Sequence, residues 1–263
     1  MELELQSVPG ELFTKFNDLT YHDEPHKYYI KKNELVSVTT LIHQYVEEFD
    51  EEYWSGVKAN QFKISQHEIK RAWKFINKKG TLKGSIIHDY AENLFLNKIF
   101  QYPKDIIIKV FGFDPIWVEY EITKRHVDRF YADTYGKLIP VKTELVVYDD
   151  ESQISGMMDI IFYNVKMKQY QIWDWKTNKS FETESKRMMM GSLSMLQDTD
   201  LNTYSLQLEL YKQIIERNTS IRLGQSYLVW FSHNNPSYEI ITTKNMSYYI
   251  SEIINERIAS LAA

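Results

Sequence analysis

The chain has 263 residues and a net charge of −5, and 43% of its residues are hydrophobic while 25% are charged. This length and composition are typical of a globular protein with one large domain or two small ones, and the acidic balance gives no overall basic surface for nucleic acid. The sequence contains no cysteine, which excludes disulfides, thiolate zinc sites and iron–sulfur clusters.

The N-terminal sequence MELELQSVPG, residues 1–10, is acidic and has few apolar residues, so it does not predict a signal peptide. No apolar run along the chain approaches the roughly 20 residues of a membrane-spanning helix. We therefore expect a cytoplasmic protein with no membrane partner.

The first half of the chain predicts a hairpin followed by helices. The segments 26–31 and 35–38 flank a Lys-Asn pair and are typical of two short strands. A helix is expected to begin after Ser37 or Thr39, either of which is a suitable N-cap. Further helical structure is predicted over residues 50–78, over 80–98 (beginning after Gly80) and near 115–135.

The second half of the chain combines strands with two helices. Strands are predicted at 141–149, 156–163, 169–176, 223–232 and 238–243, and helices at 204–218 and near 245–261. The stretch 178–203 has no clear period. Together these elements predict an α/β fold with a central mixed sheet flanked by helices, in one domain over residues 1–263. We expect helical N-terminal additions to this core, with a helical insertion at about 45–80.

The segment YQIWDWKTNK, residues 170–179, places an acid and a base in an otherwise apolar strand. Asp174 and Lys176 are two positions apart, so their side chains leave the same face of that strand. If the preceding turn is centred between Lys166 and Met167, Asp159 lies opposite Asp174 with Cβ atoms about 4.5–5.5 Å apart. Two carboxylates this close repel each other unless a cation lies between them, and hard oxygen ligands favour Mg²⁺ or Mn²⁺.

This arrangement predicts hydrolysis of a phosphodiester. A divalent ion polarises a phosphoryl oxygen and lowers the pKa of a bound water, which then acts as the nucleophile. Lys176 lies about 7 Å further along the strand, where it can orient that water or stabilise the charge that builds on phosphorus. Glu144, on the preceding strand, binds a second metal, positions a water, or is an exposed acid without a role.

Four separated segments resemble, in the same order, the motifs of a known superfamily. GSIIHDYAE resembles a helix with a metal-ligating histidine, GMMDIIF a Gly-x-x-Asp strand, WDWKT an Asp-x-Lys-Thr strand, and QLELY a Gln-x-x-x-Tyr helix. With HKYYIKKNELVSVTTLI and LQDTDLNTYSLQLELY, the likeness covers most of residues 26–212. The chain resembles the PD-(D/E)xK nucleases, and within them the RecB-like exonuclease branch, which includes phage exonucleases and the mitochondrial genome maintenance exonuclease.

The resemblance implies a restriction-endonuclease-like core and an Mg²⁺- or Mn²⁺-dependent DNA exonuclease. As metal ligands it implies His88, Asp159, Asp174 and the main-chain carbonyl of Trp175. As catalytic groups it implies Asp159, Asp174 and Lys176, supported by Gln207 and Tyr211, which meet the DNA backbone or the active-site acids. Glu144 joins the predicted catalytic groups only through its position on the preceding strand. The implied role is phage or mobile-element DNA recombination, replication or repair. DNA ends or single strands are the implied partner, with a separate recombinase, helicase or single-strand-binding protein as further candidates.

Other interpretations of the same residues stay open. The chain could be a restriction-type endonuclease on the same core, or a DNA-binding module without catalysis. His88 could bond Glu92 one helical turn along, and Gln207 and Tyr211 could form a polar helix edge. The aromatic residues Trp54, Phe62, Trp73 and Phe75 predict core packing or the lining of a strand-threading channel. The densest basic segment is either a solvated face or a surface that phosphates approach, and comprises Lys63, Lys70, Arg71, Lys74, Lys78, Lys79 and Lys83.

Overall fold

The computed structural model of the chain describes residues 10–22, 27–30 and 33–262. Residues 1–9, and His26, Lys31 and Lys32 of the predicted hairpin, lie outside the described residues. The strands are β1 (Leu19–His22), β2 (Lys27–Ile30), β3 (Asn33–Ser37), β4 (Leu138–Asp149), β5 (Ile154–Asn164), β6 (Gln169–Lys176), β7 (Tyr227–Trp230) and β8 (Glu239–Thr242). The helices are α1 (Glu11–Thr14), α2 (Val38–His43), α3 (Glu51–Phe62), α4 (Gln66–Phe95), α5 (Lys104–Phe111), α6 (Trp117–Thr134), α7 (Asp200–Asn218) and α8 (Ser247–Ala262).

The strands form one mixed sheet in the order β1-β2-β3-β5-β6-β7-β8, and β4 also pairs with β5. Because β4 runs antiparallel along the whole of β5, β3 and β6 must share the opposite edge of β5. There β3 pairs in parallel near the start of β5, at Ile154 and Ser155, and β6 pairs antiparallel near its end, from Ile160 onward. Residues 156–159 of β5 lie between these two pairings, and the candidate site forms at this gap.

The predicted α/β fold with a central mixed sheet flanked by helices is confirmed. The predicted strands at 156–163 and 169–176 correspond to β5 and β6, and the predicted hairpin corresponds to β2 and β3. The N-terminal additions are not only helical, because β1, β2 and β3 extend the sheet. Strand β1 and helix α5 were not predicted, since segments of four and eight residues carry too little periodic signal.

Helix α4 begins earlier than the sequence predicts. The expected start after Gly80 is wrong, because the helix begins at Gln66 and runs for 30 residues. Ser65 and Glu68 form a reciprocal capping box that satisfies two backbone N–H groups at this end. A glycine in a helix interior costs only about 1 kcal/mol relative to alanine, so Gly80 does not end the helix.

The sheet has an apolar core on each face. On one face Ile161 and Ile172 pack with residues of α2, α7 and α8. On the other face Trp173 and Trp175 pack with residues of α4 and α6, and the ring of Trp175 stacks on Phe95 with centroids 5.8 Å apart. The alternation along β6 therefore turns its tryptophans toward α4 and α6, and its even-numbered residues toward α7.

Several aromatic side chains near the start of α4 lie outside both cores. Trp54, Phe62 and Phe75 are 45%, 60% and 39% exposed, so the expectation that they pack in the core is wrong. Trp73 is partly buried and makes an edge-on contact with Phe49. None of the helices among the described residues combines the length and the apolar character needed to cross a membrane.

Candidate active site

The turn between β5 and β6 sets the register of the two acidic strands. Ile160 pairs with Trp173 and Ile161 with Ile172, which confirms the register predicted from a turn centred between Lys166 and Met167. The next pair in this register is Asp159 and Asp174. Pairing ends at Ile160 and Trp173, so Asp159 and Asp174 lie one residue beyond it, at the gap in the sheet. Asp174 points to the α7 side by the alternation along β6, and Asp159 contacts both β6 and α4.

Asp159 is held by one contact from β6 and one from α4. The backbone N–H of Trp175 donates to Asp159 Oδ2 at 2.6 Å, and His88 Nδ1 lies 3.2 Å from Asp159 Oδ1. The alternative partner of His88, Glu92, instead accepts a hydrogen bond from Thr143 Oγ1 at 2.9 Å. A helix residue and a strand residue 71 positions apart are thus brought into direct contact.

Asp174 and Lys176 form a buried ion pair. Lys176 Nζ lies 2.5 Å from Asp174 Oδ2, and the aspartate side chain is only 4% exposed. Apart from this ammonium, the same oxygen has no polar partner within the described part of the chain. The ammonium also lies 4.1 Å from the centre of the Tyr204 ring, a cation–π contact that directs it along the face of α7.

The pKa values of the two aspartates are shifted in opposite directions. Burial first, and then the carboxylate of Asp159, raise the pKa of Asp174 to about 6, although Lys176 opposes the shift. Burial also disfavours ionised Asp159, but His88 and Lys176 hold the pKa of this carboxyl below its ordinary value. Burial acts against the charged imidazole, yet Asp159 raises the pKa of His88 overall. The site thus holds two carboxylates whose repulsion the neighbouring side chains only partly offset.

Glu144 lies at an irregular point of β4. Thr143 pairs with Ile160 and Leu145 with Met158, so Glu144 stands opposite Asp159, and its φ is +46°. A residue other than glycine rarely adopts this conformation, which costs about 1–3 kcal/mol and is often found at functional sites. Partial desolvation, followed by the carboxylates of Glu92 and Asp159, raises the pKa of Glu144. The glutamate therefore belongs to the same acidic cluster as Asp159.

Helix α7 lines the site with three polar residues on one helical face. Tyr204 lies over Lys176 and accepts a hydrogen bond from Asn178 Nδ2 at 2.8 Å. Gln207 Nε2 donates to the hydroxyl of Tyr211 at 3.2 Å, and both residues are buried. Tyr204 was not among the predicted site residues, although its spacing of three from Gln207 and seven from Tyr211 places it on their face.

Gly156 allows Tyr211 to approach β5 closely. A Cβ at position 156 would lie 2.5 Å from Tyr211 Cε1 and 3.2 Å from Val38 Cγ2. We expect Gly156→Ala to displace Tyr211 and to lower the free energy of unfolding by about 1–3 kcal/mol through overpacking. Chemical denaturation of the purified variant measures this change.

Gly80→Ala is the matched control for that experiment. A Cβ at Gly80 meets nothing within 4 Å, and the residue lies inside α4. The control should therefore stabilise the protein by about 0.5–1 kcal/mol. If Gly156→Ala were as stable as wild type, the close packing of Tyr211 against β5 would not require a glycine at position 156.

The structure brings all of the predicted site residues to one region, where β5, β6, α4 and α7 meet. They are His88, Glu144, Asp159, Asp174, Trp175, Lys176, Gln207 and Tyr211. The indole of Trp175 points into the opposite core, so only its backbone contributes to the site. Across residues 10–22, 27–30 and 33–262, no three His, Asp or Glu side chains already stand together as a metal cage.

No protein-family model and no curated protein matches the chain. Solved structures that are similar to it include a "Putative exonuclease" from Eubacterium rectale and the protein SSO0001. The first is 10% identical, with a TM-score of 0.39 over 68% of this chain, and the match spans 65% of that protein's length, less than two thirds. The second is 12% identical, with a TM-score of 0.26 over 69% of this chain and 87% of that chain. Similarity at this level identifies neither a family nor a reaction.

Proposed function

We propose that the chain is an Mg²⁺- or Mn²⁺-dependent exonuclease that hydrolyses the phosphodiester bonds of DNA. The observation that carries the proposal is the pair of interacting carboxylates, Asp159 and Asp174, just beyond the paired residues of β5 and β6, with the amine of Lys176 2.5 Å from Asp174. Two acids and a lysine at a gap in a sheet have the donor set and the charge that phosphoryl transfer to water requires.

The donor set fits a divalent cation. Asp174 Oδ2 is buried, and among the described residues it has no polar partner besides the ammonium of Lys176, a positive charge. Asp159, Asp174, His88 and the main-chain carbonyl of Trp175 would hold the ion. When bound, it supplies positive charge to a phosphoryl oxygen and lowers the pKa of water. Hard oxygen ligands with one imidazole suit Mg²⁺ and Mn²⁺.

The side chains around the carboxylates have separate tasks in this proposal. Lys176, directed by the ring of Tyr204, stabilises the charge that develops on the phosphoryl oxygens. Glu144, opposite Asp159, orients the attacking water. The hydrogen-bonded pair Gln207 and Tyr211 fixes the face of α7 against the sheet and contacts the DNA backbone. His88 keeps Asp159 ionised and in place.

End-labelled linear DNA and closed circular DNA, incubated with the protein in Mg²⁺ or Mn²⁺, test this function. We expect progressive shortening of the linear molecules, no loss of the circles, and no product when EDTA removes the metal. Nicking of the circles would instead identify a restriction-type endonuclease. Binding of DNA without cleavage in either metal would identify a non-catalytic binding module and would contradict the proposal.

A further inference from the structure

A second cleft opens beside the candidate active site, between α4 and the chain that follows β6. Its volume is about 530 Å³, and its lining includes Lys79, Lys83, Lys179, Glu119 and His233. The lining also includes Thr177, which directly follows Lys176. The cleft and the candidate active site are therefore adjacent but have different side chains.

The floor of the cleft has an excess of positive charge and already holds a carboxylate. Lys79 Nζ lies 2.6 Å from Glu119 Oε1, and Lys83 Nζ lies 3.2 Å from Glu119 Oε2. Lys83 is only 4% exposed, and its Nζ is 3.2 Å from His233 Nδ1. Burial and the surrounding lysines lower the pKa of His233, so this ring is neutral near pH 7. Burial lowers the pKa of Lys83, although Glu119 opposes the shift. The exposed Lys179 also lines the cleft, so its lining carries three lysines and one carboxylate, an excess of positive charge for a further anion.

Helix α4 connects this cleft to the candidate active site. Gly84 and His88 are one turn apart on the same helical face, and a Cβ at Gly84 would lie 3.3 Å from Thr177 Oγ1. Lys83 precedes His88 by five residues, or about 7.5 Å along the helix at about 1.5 Å per residue.

The rim of the cleft is aromatic and apolar. Phe75 and Ile76 belong to its lining and are 39% and 63% exposed. The ring of Phe75 makes an edge-on contact with Phe111 and lies nearly parallel to Phe113, with centroids 5.3 and 6.4 Å away. An exposed ring held in place by two others is suited to stacking with a base, provided that the base is unpaired.

We propose that this cleft binds one unpaired nucleotide of the substrate strand, its phosphate on Lys79 and Lys179 and its base on Phe75. The inference rests on the proposed nuclease function and specifies it, because a strand that enters the cleft must be single. Glu119 pairs with Lys79 and Lys83, so it competes with the phosphate for Lys79 and holds that side chain in place when no strand is bound.

Fluorescence anisotropy with a short single-stranded oligonucleotide, in EDTA so that no strand is cut, tests the cleft directly. We expect Lys79→Met and Lys179→Met each to weaken binding several-fold. Each should also reduce the slope of log affinity against log salt by about 0.7, the loss of one phosphate contact in a single strand. Lys98→Met, an exposed lysine beyond the far end of α4, removes the same charge and should leave both quantities unchanged.

Two further variants separate a binding role from a structural one. Glu119→Gln removes the competing carboxylate and should tighten binding of the single strand several-fold. If the ion pairs of Glu119 were purely structural, their loss would not tighten binding. Phe75→Leu should weaken binding of the single strand by at least about fivefold, without a change in the salt slope. The same substitution should leave binding of duplex DNA unchanged. Thermal melting of each variant confirms that it is folded.

The cleft and the nuclease function can fail independently. If the lysine variants bind the strand with wild-type affinity and salt slope, or if Lys98→Met weakens binding equally, the cleft is not a nucleotide site. Wild-type cleavage of linear DNA would in that case still support the nuclease function. Conversely, the protein could fail to cut DNA in Mg²⁺ or Mn²⁺ while its lysine variants lose binding as expected. That result would support the nucleotide-binding cleft and contradict the nuclease function.

Discussion

Replacing Asp174 with asparagine is expected to reduce the rate of linear DNA hydrolysis in Mg²⁺ by at least about 10³-fold. Asparagine keeps the size of the side chain but removes the negative charge that faces Asp159 across the strand pair. Stabilisation by a bound metal is worth several kcal/mol in the transition state, and each 1.36 kcal/mol is about a tenfold change in rate. The initial rate of release of labelled nucleotides measures the effect.

Lys176→Met tests the other half of the ion pair and should behave differently. The loss of one group that stabilises developing charge costs about 10²–10³ in rate, but the two carboxylates remain. We therefore expect calorimetry to detect Mn²⁺ binding to Lys176→Met and not to Asp174→Asn.

Asp105→Asn, at an exposed position of α5, is the matched control for the loss of a carboxylate in Asp174→Asn. An Asp174→Asn protein that kept more than a tenth of the wild-type rate would exclude this residue from the reaction.

The register of the acidic strands could be predicted from the sequence because it depends on local rules. A turn of known position fixes every pair on two antiparallel strands, and the period of two fixes the face on which each side chain lies. Asp159, Asp174 and Lys176 could therefore be placed together from their spacing alone. His88 could not, since no local rule relates α4 to β5, and its position near the site was implied only by a family resemblance.

Other features of the site depend on tertiary context that spacing does not encode. The positive φ of Glu144 arises on β4 opposite Asp159, level with the gap between β3 and β6 on the other edge of β5, and a glutamate gives no sequence signal for it. The exposure of Phe75 also had no signal, because aromatic residues on a helix are usually buried. Tyr204 is the opposite case, since its spacing from Gln207 was visible in the sequence and only its contact with Lys176 was not.

Asp149 is expected to contribute more to stability than any group of the candidate active site. Its side chain is buried at the end of β4, where Ser152 donates two hydrogen bonds to Oδ2, at 3.0 Å from N–H and 2.6 Å from the hydroxyl. Asn218 Nδ2 donates to Oδ1 at 2.9 Å, and Arg217 Nε lies 3.6 Å from the same oxygen. Asp149→Ala leaves these donors without an acceptor, so we expect the free energy of unfolding to fall by about 3–5 kcal/mol.

The pH dependence of the stability of Asp149→Asn, which keeps the size of the side chain but removes its charge, provides a second readout. Burial opposes the ionisation of Asp149, but the hydrogen bonds from Ser152 and Asn218 and the charge of Arg217 hold its pKa below the ordinary value. A carboxyl with a depressed pKa stabilises the folded state above its unfolded pKa of about 3.9, and the contribution is lost as the pH falls through the folded pKa.

The stability difference between wild type and Asp149→Asn, measured by urea denaturation, should therefore be constant from about pH 5 to 7 and shrink below about pH 4. Asp150→Asn, the exposed neighbour, should show neither the large loss nor the pH-dependent change. A difference that stayed constant down to pH 3 would mean that the charge of Asp149 does not contribute to the stability of the fold.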